Sequence, residues 1–253
     1  MSPFVTRLFL AFALLLTSLA ACDSRRAEPS GPAAPASAPV SQPIVVDVYT
    51  DLVCPWCFIG TERLDRVIAA SELGPRVVVR HHAFLLNPDT PAEGIDVAAY
   101  LRAKTGREPA EMFGRVEAVA RASGIALDLS RQPRLYSTIG AHALLRRAGE
   151  RGAQRALERA LFRAYFLDGT DLTNLSALIS IAAQHGFSED EARRIAEDPS
   201  ELAAVREETQ QGAARGVRGV PFFVFPGGRT LSGAQSEETL RAALAEAARE
   251  ATP

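Results

Sequence analysis

The chain has 253 residues, 47% apolar and 23% charged, with 18 Gly, 16 Pro and 3 Cys. That composition excludes a disordered chain and a densely disulfide-stapled scaffold, and the length allows one large domain or a domain with a sizeable insertion. The net charge of -2, from 28 Lys and Arg against 30 Asp and Glu, gives a nucleic-acid-binding surface no electrostatic support.

At the N-terminus Arg7 precedes an apolar run, Leu8 to Leu16, and then small residues. One positive charge, a short apolar run and a small-residue stretch read as a secretory signal over residues 1–21. A permanent anchor helix is disfavoured, because a span needs about 20 apolar residues. Leu19-Ala20-Ala21-Cys22 resembles the bacterial lipobox, which implies that Cys22 carries lipid and becomes the mature N-terminus; an ordinary cleaved signal is the alternative. Two or more acyl chains hold a protein at a membrane where one chain binds only marginally. Asp23 follows, an acid that in enteric lipoproteins is associated with retention at the inner membrane. Residues 22–43 then hold Pro29, Pro32, Pro35, Pro39 and Pro43 among Ala, Ser and Gly. At about 3.1 Å per residue such a stretch is a tether reaching up to roughly 60 Å.

The folded part opens with a β-branched strand, Ile44 to Thr50, followed by an amphipathic helix, Phe58 to Ala70, and a second strand, Arg76 to Phe84. Strand, helix and strand this close together predict a parallel βαβ unit with a right-handed crossover. From Ala92 to Arg215 only helical periodicity is found, in seven segments beginning at Val97, Pro109, Thr138, Gln154, Leu175, Glu189 and Glu201. Phe222 to Phe225 returns to strand, Pro226-Gly227-Gly228 turns, and Arg229 to Ser232 pairs back. A helix from Ser236 to Glu250, capped by Ser236, follows. The predicted organisation is an α/β domain of residues 44–84 and 216–253, interrupted by a helical insertion over 85–215.

Cys54-Pro55-Trp56-Cys57 falls where the first strand gives way to the first helix. With Cys54 as N-cap, Pro55 takes the first helical position, where its missing N–H and fixed φ cost nothing. The Cys54 sulfur then faces the unpaired amides of Trp56 and Cys57, and these with the helix dipole favour a thiolate. Cys57, one turn in, is within bonding reach and more buried, which makes Cys54 the attacking thiol and Cys57 the resolving one. Structural zinc lacks a second ligand pair, haem attachment lacks a His at Phe58, and a static disulfide across so short a loop would constrain the unfolded chain little. A redox-active pair is the reading that remains strongest, with no metal and no organic cofactor required.

Cys-Pro-Trp-Cys after a strand, the helical insertion, and Gly219-Val220-Pro221-Phe222-Phe223-Val224 before the last ββα together resemble the DsbA family of thioredoxin-fold thiol oxidoreductases. The branch most similar is that of the FrnE-type proteins and 2-hydroxychromene-2-carboxylate isomerases, through Asp51 to Gly60 and Ser232-Gly233-Ala234-Gln235. The resemblance implies a cis peptide before Pro221, a loop facing the cysteines, and a Val220 backbone free to pair with an extended substrate. Pro55, Trp56, Val220 and Pro221 are then substrate-contacting residues. Asp47, an acid within the apolar strand, is a candidate acceptor for the Cys57 proton if it is buried beside it; a paired structural acid is the alternative. His81 and His82, on opposite strand faces, read as structural. Related isomerases and kappa-class glutathione transferases carry Ser where this chain has Cys54, and Ser137 to His142 departs from the usual insertion pattern. The implied protein is a lipid-anchored periplasmic oxidoreductase of protein thiols and disulfides, recycled by a redox partner. A glutathione-dependent isomerase or transferase, or a folding helper, stands as the rival reading.

Overall fold

A computed structural model describes residues 42–251 apart from residue 92. The signal, Cys22 and the tether as far as residue 41 lie outside the described residues. Strand β1 (Ile44–Thr50), helix α1 (Pro55–Ala69) and strand β2 (Val77–Ala83) come first. Strand β3 (Ile95–Asp96), α2 (Val97–Thr105), α3 (Pro109–Ala122), strand β4 (Arg134–Leu135), α4 (Ile139–Gly149) and α5 (Gln154–Phe166) follow. Then come α6 (Leu175–Ala183), α7 (Glu189–Glu197), α8 (Pro199–Ala214), β5 (Phe222–Val224), β6 (Thr230–Ser232) and α9 (Glu237–Glu250).

The main sheet runs β2-β1-β5-β6. β1 and β2 are parallel, as the intervening α1 requires, while β5 lies antiparallel to β1 and β6 antiparallel to β5. Along β1 the side chains alternate. Ile44, Val46 and Val48 are fully buried against Leu64, Val67 and Ile68 of α1 and Leu240, Ala243 and Leu244 of α9, while Val45 and Asp47 on the opposite face are only half-buried.

The segment expected to be wholly helical contains one further sheet. β3 pairs antiparallel with β4, Ile95 opposite Leu135, and two-residue strands are too short to show an alternation in sequence. Local chemistry starts most of the insertion helices: the side chains of Asp96, Asn174, Ser188 and Asp198 accept the amides of Ala99, Ala177, Glu191 and Ser200. α8 starts at Pro199, ahead of the expected Glu201, because Asp198 caps it and proline is tolerated in the first turn.

Helix α1 belongs to two cores. One face packs on β1 and α9, and the other, with Cys57, Phe58 and Ile59, packs into the insertion alongside Phe162 and Phe166 of α5. The Phe58 ring stacks on Phe162 at 5.6 Å and on Phe166 at 5.7 Å between centroids. The Cys-x-x-Cys segment therefore sits where the sheet domain meets the helical insertion. No described helix is long and apolar enough to cross a membrane.

Candidate active site

Cys54 is the N-cap of α1, extended at φ -92° and ψ 110°, and Pro55 occupies the first turn. Its sulfur does not cap the helix. The Cys57 and Phe58 amides instead bond the Cys54 carbonyl at 3.0 and 3.2 Å, and the Cys54 thiol donates to the Val220 carbonyl at 3.6 Å. The bond expected from the Cys57 amide to sulfur is thus replaced by a backbone bond to the carbonyl of the same residue.

Both cysteines are free thiols, Cys57 fully buried and Cys54 6% exposed. Complete burial pushes the Cys57 thiol well above the ordinary range; its hydrogen bond to Cys54 and the Cys54 charge push the same way, as does the Asp51 charge, while the Asp51 backbone amide opposes. Of the two sulfurs, Cys57 is the one the fold holds protonated and out of reach, and Cys54 is the one that borders open space.

The loop before β5 closes the site. The Val220–Pro221 peptide is cis, and Pro221 lies against α1 one turn beyond Cys57. A Cβ placed on Gly60 would come within 2.9 Å of Pro221 Cγ and 3.3 Å of Phe223 Cζ, so the missing side chain at Gly60 permits this close approach. The Pro221 carbonyl is bonded by the Gly233 amide at 2.8 Å, which ties the loop to the end of β6.

Beside Cys54 opens a cavity of about 270 Å³. Trp56, Tyr100, Leu101, Phe113, Tyr136 and Phe166 supply much of its apolar wall, and Lys104, the sole lysine of the chain, stands at it with Nζ 2.8 Å from the Tyr100 hydroxyl. Trp56, half-buried, is thereby placed next to the sulfur and facing this space. Among the described residues no three His, Cys, Asp or Glu side chains gather as a metal site.

Asp47 does not reach Cys57. Strand alternation turns it to the face opposite α1, where Arg80 binds it with two bonds of 2.7 and 2.8 Å and His82 Nε2 lies 2.8 Å away. Burial alone would raise the Asp47 carboxyl, but the bonds from His82 and Arg80 outweigh it and bring its pKa down to about 2. The expected proton acceptor is a structural acid. The acid that sequence reasoning passed over is Asp51, three residues before Cys54, whose carbonyl accepts the Cys54 amide at 3.0 Å and whose side chain lines the cavity. Its place within the Cys-x-x-Cys motif region was the signal available; an acid just past a strand end offers no periodicity to assign its direction.

His82 sits between two carboxylates, Asp47 at 2.8 Å and Glu208 at 2.9 Å. Burial lowers its pKa, but the bonds to Asp47 and Glu208 more than compensate and raise it to about 9. A histidine raised in the fold contributes stability that is complete below its unfolded value of about 6.5 and is lost as pH rises through the folded value. Asp47, lowered in the fold, contributes stability that is lost only as pH falls through about 2. Melting temperature is therefore expected to fall between pH 6.5 and about 9 through His82. His82→Gln should flatten this alkaline arm, and a variant as pH-sensitive as the parent would refute the assignment. His81, buried, is paired with Glu158 at 2.6 Å, and Thr50 bonds the same carboxylate at 2.7 Å.

Residues 45–245 match the DSBA-like thioredoxin domain family. Among solved structures, a probable DsbA oxidoreductase from Streptomyces coelicolor is 33% identical with a TM-score of 0.74, over 83% of this chain and 92% of that one. A 2-hydroxychromene-2-carboxylate isomerase is 19% identical with a TM-score of 0.65, over 81% and 97% of the two chains. A cytosolic disulfide reductase DsbM from Pseudomonas aeruginosa, solved with GSH, is 17% identical with a TM-score of 0.58, over 81% and 99%. The last two show likeness of fold alone. Among curated proteins none matches the chain.

Proposed function

Because the chain belongs to the DsbA-like thioredoxin domain family, we propose that it is a membrane-tethered, extracytoplasmic thiol–disulfide oxidoreductase that exchanges disulfides with protein substrates through Cys54 and Cys57. The observation that carries this reading is the pairing of one bordering and one buried thiol under the Val220–Pro221 loop. Disulfide exchange runs through a thiolate, and Cys54 stands at the N-terminal, positive end of α1. Cys54 attacks a substrate disulfide and expels one substrate thiolate, leaving a mixed disulfide. Cys57 then attacks the Cys54 sulfur, closes the Cys54–Cys57 bond and releases the second substrate thiolate. Two electrons pass from the cysteine pair to the substrate, and the reverse sequence oxidises a substrate dithiol.

Once Cys54 has given up its proton, the Val220 carbonyl loses its thiol donor and is free to accept an amide from an extended substrate segment, as in strand addition. The apolar cavity beside Cys54 suits a large side chain flanking the substrate cysteine. The direction proposed first is oxidation of substrates, recycled by a separate redox partner. The tether, lipidation at Cys22 and the periplasmic, inner-membrane placement belong to the same proposal and rest on the residues before Ile44.

The same cavity supports a second reading, in which a small aromatic compound is handled with glutathione. The test is direct. Oxidised protein is mixed with a reduced dithiol peptide, and reduced protein with an oxidised one, while disulfides on both are counted by mass. Transfer of one disulfide per chain in either direction supports the oxidoreductase. No transfer in either direction, with turnover of an aromatic substrate that survives Cys54→Ser, overturns it.

A further inference from the structure

The arginines around α1 mostly meet carboxylates: Arg66 binds Glu237, Arg155 binds Asp65 and Arg159 binds Glu62. Arg63 of the same helix differs. Among the described residues its guanidinium bonds three neutral oxygens and no carboxylate. Nε donates to the Ser123 hydroxyl at 2.9 Å, and one terminal nitrogen donates to the Ala234 and Gln235 carbonyls, each at 3.0 Å. The side chain is half-buried. A guanidinium presents its donors in a rigid planar fork, so bonds on two of its sides fix both neighbours relative to α1. A charged donor also makes a bond roughly twice as strong as a neutral one.

Gly60 and Arg63 stand three residues apart and are neighbours on the surface of α1. Gly60 meets Pro221, as the missing Cβ allows, and Arg63 holds the turn that follows β6. Within that turn the Gln235 amide bonds the Gly233 carbonyl at 2.9 Å, and the Gly233 amide bonds the Pro221 carbonyl at 2.8 Å. One residue before Pro221, the Val220 carbonyl accepts the Cys54 thiol at 3.6 Å. A continuous series of bonded groups thus runs from Arg63 through Gly233 and Pro221 to the acceptor beside Cys54. The other side of the guanidinium reaches Ser123, the C-cap of α3. That helix supplies Met112, Phe113 and Val116 to the cavity wall.

We infer that Arg63 positions the Val220–Pro221 loop for pairing with substrate, a role that rests on the disulfide-exchange reading above. It pins the turn after β6 to α1 and so holds the Val220 carbonyl where the backbone amide of an extended substrate can bond it. Arg63 bonds neither sulfur; it acts through Gly233 and Pro221. Without the guanidinium, Ala234 and Gln235 lose their tie to α1, and the Gly233 amide that holds Pro221 is released with them. An amide must come within about 2.7–3.2 Å of its acceptor, so a loop displaced by about an ångström forfeits the bond to substrate. Attack of Cys54 on a disulfide that carries no amide needs no such bond.

Arg63→Gln tests this in the full chain. Reduced protein is mixed, over a range of concentrations, with two probes. One is a peptide whose disulfide-linked cysteine has residues on both sides; the other is bis(2-hydroxyethyl) disulfide, which has no amide. Mixed disulfide on Cys54 is timed by acid quench and mass. For the peptide the half-saturating concentration is expected to rise about tenfold, the scale of one lost hydrogen bond, with the maximal rate within about twofold of the parent. With the small disulfide the rate should change by less than about twofold. A purely structural role would slow both probes together. Equal slowing, or no change with either probe, would overturn the positioning role and leave the exchange reading intact. A parent that does not react with the peptide would overturn the exchange reading, and the role of Arg63 with it. If Arg63→Gln does not fold, Arg63→Lys decides, because it keeps the charge without the fork. A loss of roughly threefold confined to the peptide is then expected, and parental behaviour or equal slowing with both probes would overturn the role.

Discussion

Cys57→Ser is expected to stop exchange at the mixed disulfide, with a substrate peptide held on Cys54 for as long as no external thiol is added. Cys54 borders the cavity and the Val220–Pro221 loop, so the first attack remains available to it. The group that would displace the substrate, fully buried and hydrogen-bonded to Cys54, has been removed. Cys54→Ser should instead abolish both steps, lowering turnover by on the order of 10³-fold or more, since the nucleophile itself is lost. Mass analysis after quenching separates the two outcomes: a stable adduct for Cys57→Ser and none for Cys54→Ser. Adducts accumulating on Cys57 in the Cys54→Ser protein would reverse the assigned roles.

Phe162→Ala should produce the largest loss of stability of any single change considered. Phe162 has no exposed surface, and its ring stacks on Phe58 at 5.6 Å and lies 6.4 Å from Phe166. Truncating a buried phenylalanine costs about 3–5 kcal/mol through lost burial and the cavity left behind. For a chain of this size that corresponds to a fall in melting temperature of roughly 6–20 °C. The effect should extend to the chemistry, because Phe58 directly follows Cys57 in the first turn of α1. With less packing behind it, that turn is held less firmly beneath the Pro221 loop, and exchange is expected to slow even at temperatures where the variant is folded. A melting temperature within about 2 °C of the parent would show that the stack does not carry this load.

Several features were legible without coordinates because they are written locally. β1 matches its expected span, Ile44 to Thr50, since a β-branched run states its own conformation. Proline after Cys54 marks the start of α1, and Ser236 caps α9 as expected, accepting the Thr239 amide. The parallel pairing of β1 with β2 follows from the length of the crossover. What lay beyond sequence reasoning involved direction and distance. Asp47 was the natural acid to choose, yet its strand turns it toward Arg80 and His82, away from α1. Asp51 follows the strand, where no alternation assigns a face, and its partners Leu86, Thr138 and His142 lie 35, 87 and 91 positions further along the chain.

The order of the main sheet's elements, the two site cysteines and their unequal exposure were determined by the sequence itself, because helix capping, turn chemistry and period-two or period-four patterns act over a few residues. Only the tertiary structure decided which acid lines the site, that the Cys54 thiol bonds the Val220 carbonyl in place of its own helix amides, and that an apolar cavity opens next to it. Each of these depends on groups far apart in the chain being brought within a few ångströms, and no local propensity encodes such a meeting.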